Sequence, residues 1–461
     1  MNRRNALQSL AIVGEGPVAH IAAFAIRRAL PRTQVTLIRQ GGVAGFADRC
    51  PLLLPDAIAR LAAMGLGETD LVAAGAATHR LGERMEGWGT RDFTIVSGDG
   101  VTQIERVKPY HLAVLYDAEP IPEARFAERL IEAGRFAPDA RGANALFEGI
   151  DPSLRLDPDR VAGLLDPALR RMGVVILDSA IVDVVHDDDR IAQLILADGH
   201  RIAADLFIET RRDAPLSRER FIAWDWCHPP ADFGLRRTPG DPVLGDRCCR
   251  EGALWHAQWS GPNGIVTLGP IASAAGKEHE ARLSVRPGRR ARFYDHNLLT
   301  IGDAAACTGP MFQLGLSVAV AQLSLWLELM PSRQWEPLLA EEYERRAGAV
   351  VAIVAAYAAA PFYAVASDGG LASAPAYLSD RIDEFRRHGR MQSADAPLIS
   401  PFMWVQLLLG LGVEPLRPDP VALSVPAEIA RQRLASLAAA AHHIPSGLPR
   451  YLDWLAAARR V

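Results

Sequence analysis

The sequence predicts an α/β protein with a parallel sheet that begins close to the start of the chain. The 461 residues are 49% apolar and 23% charged, which is ordinary for one large folded domain or two to three smaller ones. Residues 10–13 and 35–38 have the apolar runs of buried strands, and a glycine turn and a helical pattern over residues 22–30 lie between them. That order is typical of a βαβ unit.

The remaining elements follow from apolar spacing and turn residues. Helices are predicted within residues 55–75 and over 157–172, strands over 174–177, 181–185, 191–196 and 204–208, short strands across 213–295, and helices from residue 322 onward. Residues 83–150 have a mixed pattern that sets no order of elements.

Charge and cysteine content exclude several classes of function. The formal charge is −4, so no basic excess exists to neutralise a nucleic acid. The five cysteines form no metal-binding pattern, and their odd number predicts reduced thiols in the cytoplasm and no metal site. Residues 348–366 are uncharged, but they are rich in alanine and include Pro361, so we expect a buried helix and no membrane span.

The early glycine turn is the first candidate site. Gly14 permits a tight turn, Gly16 lets the backbone approach a pyrophosphate, and Ala19 keeps the following helix close to the strand. With Pro17 and Val18 these residues begin a helix whose positive end would face phosphates. The alternative is a tight turn without a ligand.

The second strand ends in Arg39, where a dinucleotide-binding fold usually has an acid that binds the adenosine ribose. Arg39 could stack on adenine or contact a phosphate, or the ribose could go unrecognised.

A second strand–turn–helix pattern lies about 290 residues later. Asp303 is placed to bind the ribitol of a flavin, and the segment after Pro310 could approach the flavin ring. An N-capping aspartate is the alternative. Combined with the glycine turn, the pattern predicts FAD as the cofactor. The predicted contacts in this late segment are Gly302, Asp303, Ala304, Leu314, Gly315 and Leu316.

Four stretches resemble the flavin-dependent tryptophan halogenases, a family related to the flavin monooxygenases. Residues 77–82, followed by 88–89, are similar to the family's A-T-F-K-L-G…N-W-G. Residues 198–208 are similar to its D-G…A-D-L-F-I-D, residues 297–302 to its N-x-V-A-I-G, and residues 404–413 to its helical tail. The resemblance implies a Rossmann-like FAD-binding fold of the flavoprotein monooxygenase type.

The resemblance also implies a chemistry. In the family, a separate reductase supplies reduced FAD, which reacts with oxygen and halide to give hypohalous acid. A lysine then directs this oxidant to an indole, and a glutamate assists. For this chain the expected partners are therefore a small aromatic substrate, alone or within a larger molecule, a flavin reductase and a halide.

Two of the family's catalytic positions differ here. Arg80 stands at the lysine position, and a guanidinium is a poor amine nucleophile, although it could donate a hydrogen bond to the oxidant or to an anionic substrate. An ion-paired arginine is the alternative. Phe312 stands at the glutamate position. The family's halide contacts are backbone amides, which match Leu314 and Gly315 and do not depend on side chains.

Trp255 is the remaining catalytic candidate. By its position before Asn263 and Gly264, it matches one tryptophan of the family's W-x-W-x-I-P motif. Trp224 and Trp226 resemble the same motif in letters only. Core aromatic clusters are the alternative for both groups.

We therefore expect four parts in sequence order. They are a FAD-binding core over 1–212, interleaved with substrate elements at 83–150, a β-rich substrate region over 213–295, a second part of the core over 296–331, and a helical region over 332–461. Halogenase-like oxidation of an electron-rich aromatic is the leading function. A flavin-dependent aromatic hydroxylase and a flavin-binding pseudoenzyme are the alternatives, so whether the chain is an enzyme stays open at this point.

Overall fold

The protein is described from a computed structural model. The description covers all residues except 1–5, 41–44, 101–106, 117–120, 141–144, 214, 228–230, 272–278, 330–331, 365–373, 393–397 and 461.

Strands and helices alternate through the first half of the chain, and helices dominate the last third. The strands are β1 Ser9–Val13, β2 Gln34–Arg39, β3 Leu52–Leu53, β4 Ala77–Arg80, β5 Gly82–Glu86, β6 Phe93–Val96, β7 Ser153–Leu156, β8 Val175–Asp178, β9 Ile181–Asp187, β10 Arg190–Leu196, β11 Arg201–Ile202, β12 Leu206–Glu209, β13 Phe221–Ala223, β14 Ala231–Thr238, β15 Gly245–Glu251, β16 Leu254–Gly261, β17 Gly264–Pro270, β18 Ala281–Val285, β19 Gly288–Arg290, β20 Tyr294–Asp295, β21 Leu298–Thr300 and β22 Ala306–Cys307. The helices are α1 Pro17–Ala29, α2 Phe46–Arg49, α3 Pro55–Ala63, α4 Glu68–Ala73, α5 Pro109–Leu115, α6 Pro122–Ala133, α7 Ala145–Glu148, α8 Pro158–Arg171, α9 Gly315–Leu329, α10 Pro337–Ala364, α11 Ala376–His388, α12 Pro401–Gly410, α13 Ala427–His443 and α14 Tyr451–Ala458.

The chain forms two compact units. Unit 1 comprises residues 1–76, 156–230 and 285–358, and unit 2 comprises 77–155, 231–284 and 359–461. Each unit therefore collects segments that are far apart in sequence.

Unit 1 contains a six-stranded sheet in the order β20-β21-β12-β1-β2-β8. β1 is parallel to β12 on one side and to β2 on the other, and β8 continues the parallel arrangement beyond β2. β1 is apolar and almost wholly buried, as expected for a strand covered on both faces. The predicted βαβ unit and the return strand that we expected near residue 206 are both confirmed.

The helices of unit 1 pack on this sheet. α1 packs against α8 and α9. We expected α1 over residues 22–30, but it begins five residues earlier, because Pro17 fits the first helical turn and Gly16 has the extended backbone of an N-cap. α8 confirms the predicted amphipathic helix, and its N-cap, Asp157, accepts a hydrogen bond from the Arg160 N–H.

Two helices are long and apolar enough to cross a membrane by length and composition. They are Met311–Leu329 and Pro337–Ala364, and 72% and 67% of their apolar windows are buried inside the protein. That degree of burial is typical of core helices, as we expected for residues 348–366, of which 365 and 366 lie outside the described residues.

Unit 2 contains a mixed seven-stranded sheet in the order β18-β14-β17-β16-β15-β5-β6. β15 and β5 are its parallel neighbours. α6 and α12 pack on β6, and α13 packs on α5 and α6. Most of the strand pattern expected over residues 213–295 belongs to this sheet.

Candidate functional site

The glycine turn lies where β1 meets α1. The Gly14 N–H donates to the Ile38 carbonyl at 3.0 Å, which links the turn to β2. Gly14 has a φ of +153°, and a Cβ there would lie 1.9 Å from Thr210 Oγ1. Only glycine fits this position, and Ala19, buried below it, lets the helix lie close to the strand.

Asp48 of α2 holds the start of α1. Its Oδ1 accepts the Val18 N–H at 3.0 Å, and a Cβ on Gly16 would lie 2.1 Å from the same carboxyl group. Burial, with a smaller contribution from the nearby charge of Asp303, raises the pKa of Asp48 to about 7, while the hydrogen bond from Val18 opposes the shift. An amide that a phosphate would otherwise contact is thus used by the protein's own carboxylate.

The late turn makes a similar contact. Asp303 Oδ2 accepts the Ala47 N–H at 2.8 Å, and a Cβ on Gly45 would lie 2.0 Å from that oxygen. Burial raises the pKa of Asp303 to about 6. The Gly302 N–H donates to Gln322 Oε1 at 2.8 Å, and Ala304 is buried beside it. Asp303 therefore binds α2 in this conformation.

The segment before α9 has an unusual backbone. Phe312 and Gln313 have φ values of +61° and +51°, in the left-handed region that non-glycine residues rarely adopt. The Phe312 ring packs on Tyr357 with centroids 4.9 Å apart. Leu314, Gly315 and Leu316 follow at the start of α9, where a Cβ on Gly315 would lie 3.0 Å from the Ala47 Cα and Cβ.

A cavity of about 520 Å³ opens beside the glycine turn, within the usual range of small-molecule sites. It lies at the carboxyl ends of β1, β2 and β8, where nucleotides bind in open parallel sheets. Its lining residues are Glu15, Gly16, Pro17, His20, Arg39, Gln40, Asp48, Arg49, Pro158, Asp159, Ala162, Asp178, Ser179 and Ala180.

The site therefore fits a dinucleotide only in part. The open cavity suits an adenosine moiety. Around Gly16, Asp303 and Gly315, where the pyrophosphate and the flavin would be expected, α2 fills the space with its own atoms. The early and late turns do converge, as the sequence predicts, and α2 lies between them.

Arg39 lies at the cavity wall in a network of charges. Its Nε and Nη2 donate to the two carboxylate oxygens of Asp178 at 2.6 and 2.8 Å, and its Nη1 donates to Asp166 Oδ2 at 2.6 Å. His20 Nε2 lies 2.9 Å from Asp166 Oδ1, and its Nδ1 lies 2.9 Å from the Gly16 carbonyl. The network thus joins the glycine turn to the ends of β2 and β8.

Arg80 lies in a buried charged cluster in unit 2. Its Nε donates to Asp246 Oδ2 and its Nη2 to Glu83 Oε2, both at 2.7 Å. Arg155 also donates to Asp246, at 3.0 Å, and stacks over Trp259. All four charged side chains are at most 5% exposed. Burial raises the pKa of Glu83, and the charge of Arg80 opposes that shift. These contacts match the ion-paired interpretation of Arg80.

Trp255 packs in an aromatic cluster of unit 2. Its ring lies 5.4 Å from Phe233, 6.1 Å from Phe362 and 6.2 Å from Trp88. Trp224 and Trp226, the other tryptophan pair, lie in unit 1 with ring centroids 5.5 Å apart, and the residues that follow at 228–230 lie outside the description.

Several residues of these sites are missing from the sequence prediction. Asp48 and Asp178 are short acidic residues in unremarkable stretches, and Asp246 lies 166 residues from Arg80. No local pattern signals their roles, since each acts on a partner brought close only by folding.

The parallel sheet, the glycine turn and the cavity at the strand ends define a dinucleotide-binding α/β protein of the flavoprotein type. The sequence model of the family described as "Tryptophan halogenase" matches residues 9–212 and 271–427. The chain belongs to the tryptophan halogenase family, and it is accordingly a flavin-dependent oxidoreductase related to enzymes that act on aromatic compounds.

Solved structures share the fold over nearly the whole chain. BrvH, a flavin-dependent halogenase from Brevundimonas sp. BAL3, has a TM-score of 0.85 at 19% identity, covering 98% of this chain and 99% of its own. Xcc4156, a flavin-dependent halogenase from Xanthomonas campestris, has a TM-score of 0.84 at 21% identity and 98% coverage of both chains. The tryptophan 6-halogenase SttH from Streptomyces toxytricini has a TM-score of 0.84 at 17% identity, covering 98% and 100%.

Proposed function

We propose that the protein binds FAD and uses its reduced form, with oxygen and halide, to halogenate an electron-rich aromatic. The substrate is an indole or a related ring, free or within a larger molecule. The observation that carries the proposal is the glycine turn opening onto a cavity at the carboxyl ends of three parallel strands. Family membership supports the flavin, and a cytoplasmic location with a separate reductase completes the proposal.

The proposed cofactor contacts divide between the two turns. Gly14, Gly16, Pro17, Val18 and Ala19 would hold the adenosine and phosphates, with Arg39 at the cavity wall. The late turn would hold the flavin half once α2 withdraws from it, through Gly302, Asp303, Ala304, Leu314, Gly315 and Leu316. A whole FAD requires that withdrawal, because Asp48 and Ala47 occupy the contacts of Val18 and Asp303.

A bound reduced flavin would activate oxygen as the oxidant. Trp255 is the proposed counterpart of the family's barrier tryptophan. Two carboxylates, Asp246 and Glu83, already accept hydrogen bonds from Arg80. This supports a role for Arg80 in holding these carboxylates in place over direct contact with an oxidant.

Product analysis tests the proposal. The FAD-loaded protein is incubated with a flavin reductase, nicotinamide cofactor, oxygen, bromide or chloride, and tryptophan or indole, and products are weighed by mass spectrometry. Replacement of a hydrogen by halogen is the expected result. Gain of a single oxygen atom would instead identify a hydroxylase and overturn the halogenation proposal.

A flavin-binding protein without halogenating activity is the second candidate. Two observations favour it, namely the enclosure of Arg80 among buried carboxylates and the place of Phe312, an apolar side chain packed on Tyr357, at the family's glutamate position. Hydrogen peroxide as the sole product with every aromatic compound tested would support this candidate.

A further inference from the structure

The adenosine cavity holds a carboxylate that the sequence pattern does not indicate. In dinucleotide-binding folds, an acid at the end of the second strand accepts hydrogen bonds from the adenosine ribose. Here that position is Arg39, which has donors only. A ribose in this cavity therefore needs an acceptor from another element.

The strand pairing places Asp178 in the required position. β8 runs parallel to β2, and Asp178 lies opposite Arg39 in the register. Neighbouring strands are about 4.8 Å apart, so the carboxylate stands one strand away from the usual acid, at the same edge of the sheet. Asp178 lines the cavity, and its side chain is 63% exposed.

Arg39 fixes the orientation of this carboxylate. Its two N–H donors, at 2.6 and 2.8 Å, hold one lone pair of each Asp178 oxygen. A carboxylate offers about four acceptor sites, so each oxygen keeps a second one. The hydrogen bond from Arg39 also holds the pKa of Asp178 below its usual value.

The charge of Arg39 is already neutralised by Asp178 and Asp166. A phosphate on the ribose would therefore be repelled by the Asp178 carboxylate, and the charge of Arg39, already paired, would not compensate for this repulsion. The arrangement suits a ribose with two unmodified hydroxyl groups.

We propose that Asp178 recognises the 2′,3′-diol of the cofactor's adenosine ribose and that Arg39 is the residue that positions it. The inference rests on the proposed FAD function and assigns the ribose contact to β8 instead of β2. Asp178, which accepts the hydrogen bonds, and Arg39, which positions it, together replace the single acid found at the end of the second strand in the usual arrangement.

Adenosine 5′-monophosphate is the appropriate probe, because it carries the ribose without the flavin half, which requires α2 to withdraw from the late turn. Its affinity is compared by calorimetry with those of the 2′-deoxy and 3′-deoxy analogues and of adenosine 2′,5′-bisphosphate. We expect the wild type to prefer the monophosphate about tenfold over each of them, the loss expected for one hydrogen bond to a charged acceptor.

Variants assign that preference to Asp178. D178A removes the acceptor of both hydroxyl groups, so it should weaken monophosphate binding by more than about tenfold and bind the monophosphate and the deoxy analogues equally well. R39Q, which leaves the carboxylate without its holder, should lose part of the preference, and it tests the proposal should D178A fail to fold. D189A, which alters an exposed acid of unit 1 away from the cavity, is the matched control and should behave as wild type.

Equal affinities of the wild type for all probes, or an intact preference in D178A, would overturn the assignment. FAD uptake is measured on the same samples. Uptake of FAD with no dependence on Asp178 defeats this inference alone, whereas failure to bind both FAD and the monophosphate defeats the proposed function with it.

Discussion

Buried carboxylates occur in both units, but their surroundings differ. In unit 1, Asp48 and Asp303 accept backbone N–H groups of Val18 and Ala47, and burial raises their pKa values to about 7 and 6. In unit 2, Glu83 and Asp246 accept hydrogen bonds from the guanidinium groups of Arg80 and Arg155. The first pair is held by dipoles and the second by full positive charges.

This difference separates a contact that can be exchanged from one that cannot. Backbone amides can bind a phosphate or a hydroxyl in place of a carboxylate, so a phosphate can accept the Val18 N–H in place of Asp48. Removing one member of a buried ion cluster leaves the others without compensation. We therefore expect unit 1 to respond to ligand and pH, and the cluster around Arg80 to act as a fixed part of unit 2.

Breaking the cluster should have the largest effect. R80A leaves Glu83 and Asp246 buried with one guanidinium fewer, and should lower the free energy of unfolding by about 3–5 kcal/mol. Urea unfolding monitored by tryptophan fluorescence measures it. R84A is the control, because the Arg84 side chain is 43% exposed and its loss should cost less than about 1 kcal/mol. Equal effects of the two variants would mean that the cluster is not a fixed structural element.

Removing the charge of Asp48 should have an intermediate effect that depends on pH. Unfolded aspartate has a pKa of about 3.9. Between about pH 4 and 7 the folded wild type therefore keeps a proton on Asp48 that the unfolded chain has already lost. Wild-type stability therefore falls as the pH rises through this window. D48N keeps an acceptor for Val18 without the charge, and should be more stable at pH 8 by on the order of 2 kcal/mol.

Urea unfolding from pH 4 to 8 measures the difference in the free energy of unfolding between D48N and the wild type. This difference should disappear at the acid end of the range. D159N, at an exposed site in the same cavity, serves as control and should show no such gap. A constant difference between D48N and wild type across the range would show that the Asp48 carboxylate is not held in a raised-pKa state.

Trimming the aromatic cluster should have the smallest effect. W255F keeps a ring beside Trp88, Phe233 and Phe362 but loses part of the indole, and should cost about 1 kcal/mol. Thermal unfolding and product yield are measured together. Unchanged stability with a lost product would give Trp255 a catalytic role, whereas a stability loss alone would confine it to packing.

The sequence predicts those features that depend on residues close to one another in the chain. The turn at Gly14 and Gly16, the strands on either side, and the late Asp303 turn all have local signals, and the structure brings the two turns together. The partners of Asp48 and Arg80 depend on tertiary packing, since neither a four-residue helix nor a lone arginine indicates what it will touch. For this reason the obstruction by α2 and the enclosure of Arg80 could not be predicted.

Uptake of FAD into the cavity beside the glycine turn tests the central claim most directly. A162F should place a ring in this cavity and obstruct it, because Ala162 lines it from α8, whereas G163F changes the next residue of the same helix, where a side chain meets open space. Each protein is mixed with excess FAD and desalted, and bound flavin is read from its absorbance. We expect about one flavin per wild-type and G163F chain and almost none for A162F. No flavin on the wild type, or equal flavin on all three proteins, would contradict it.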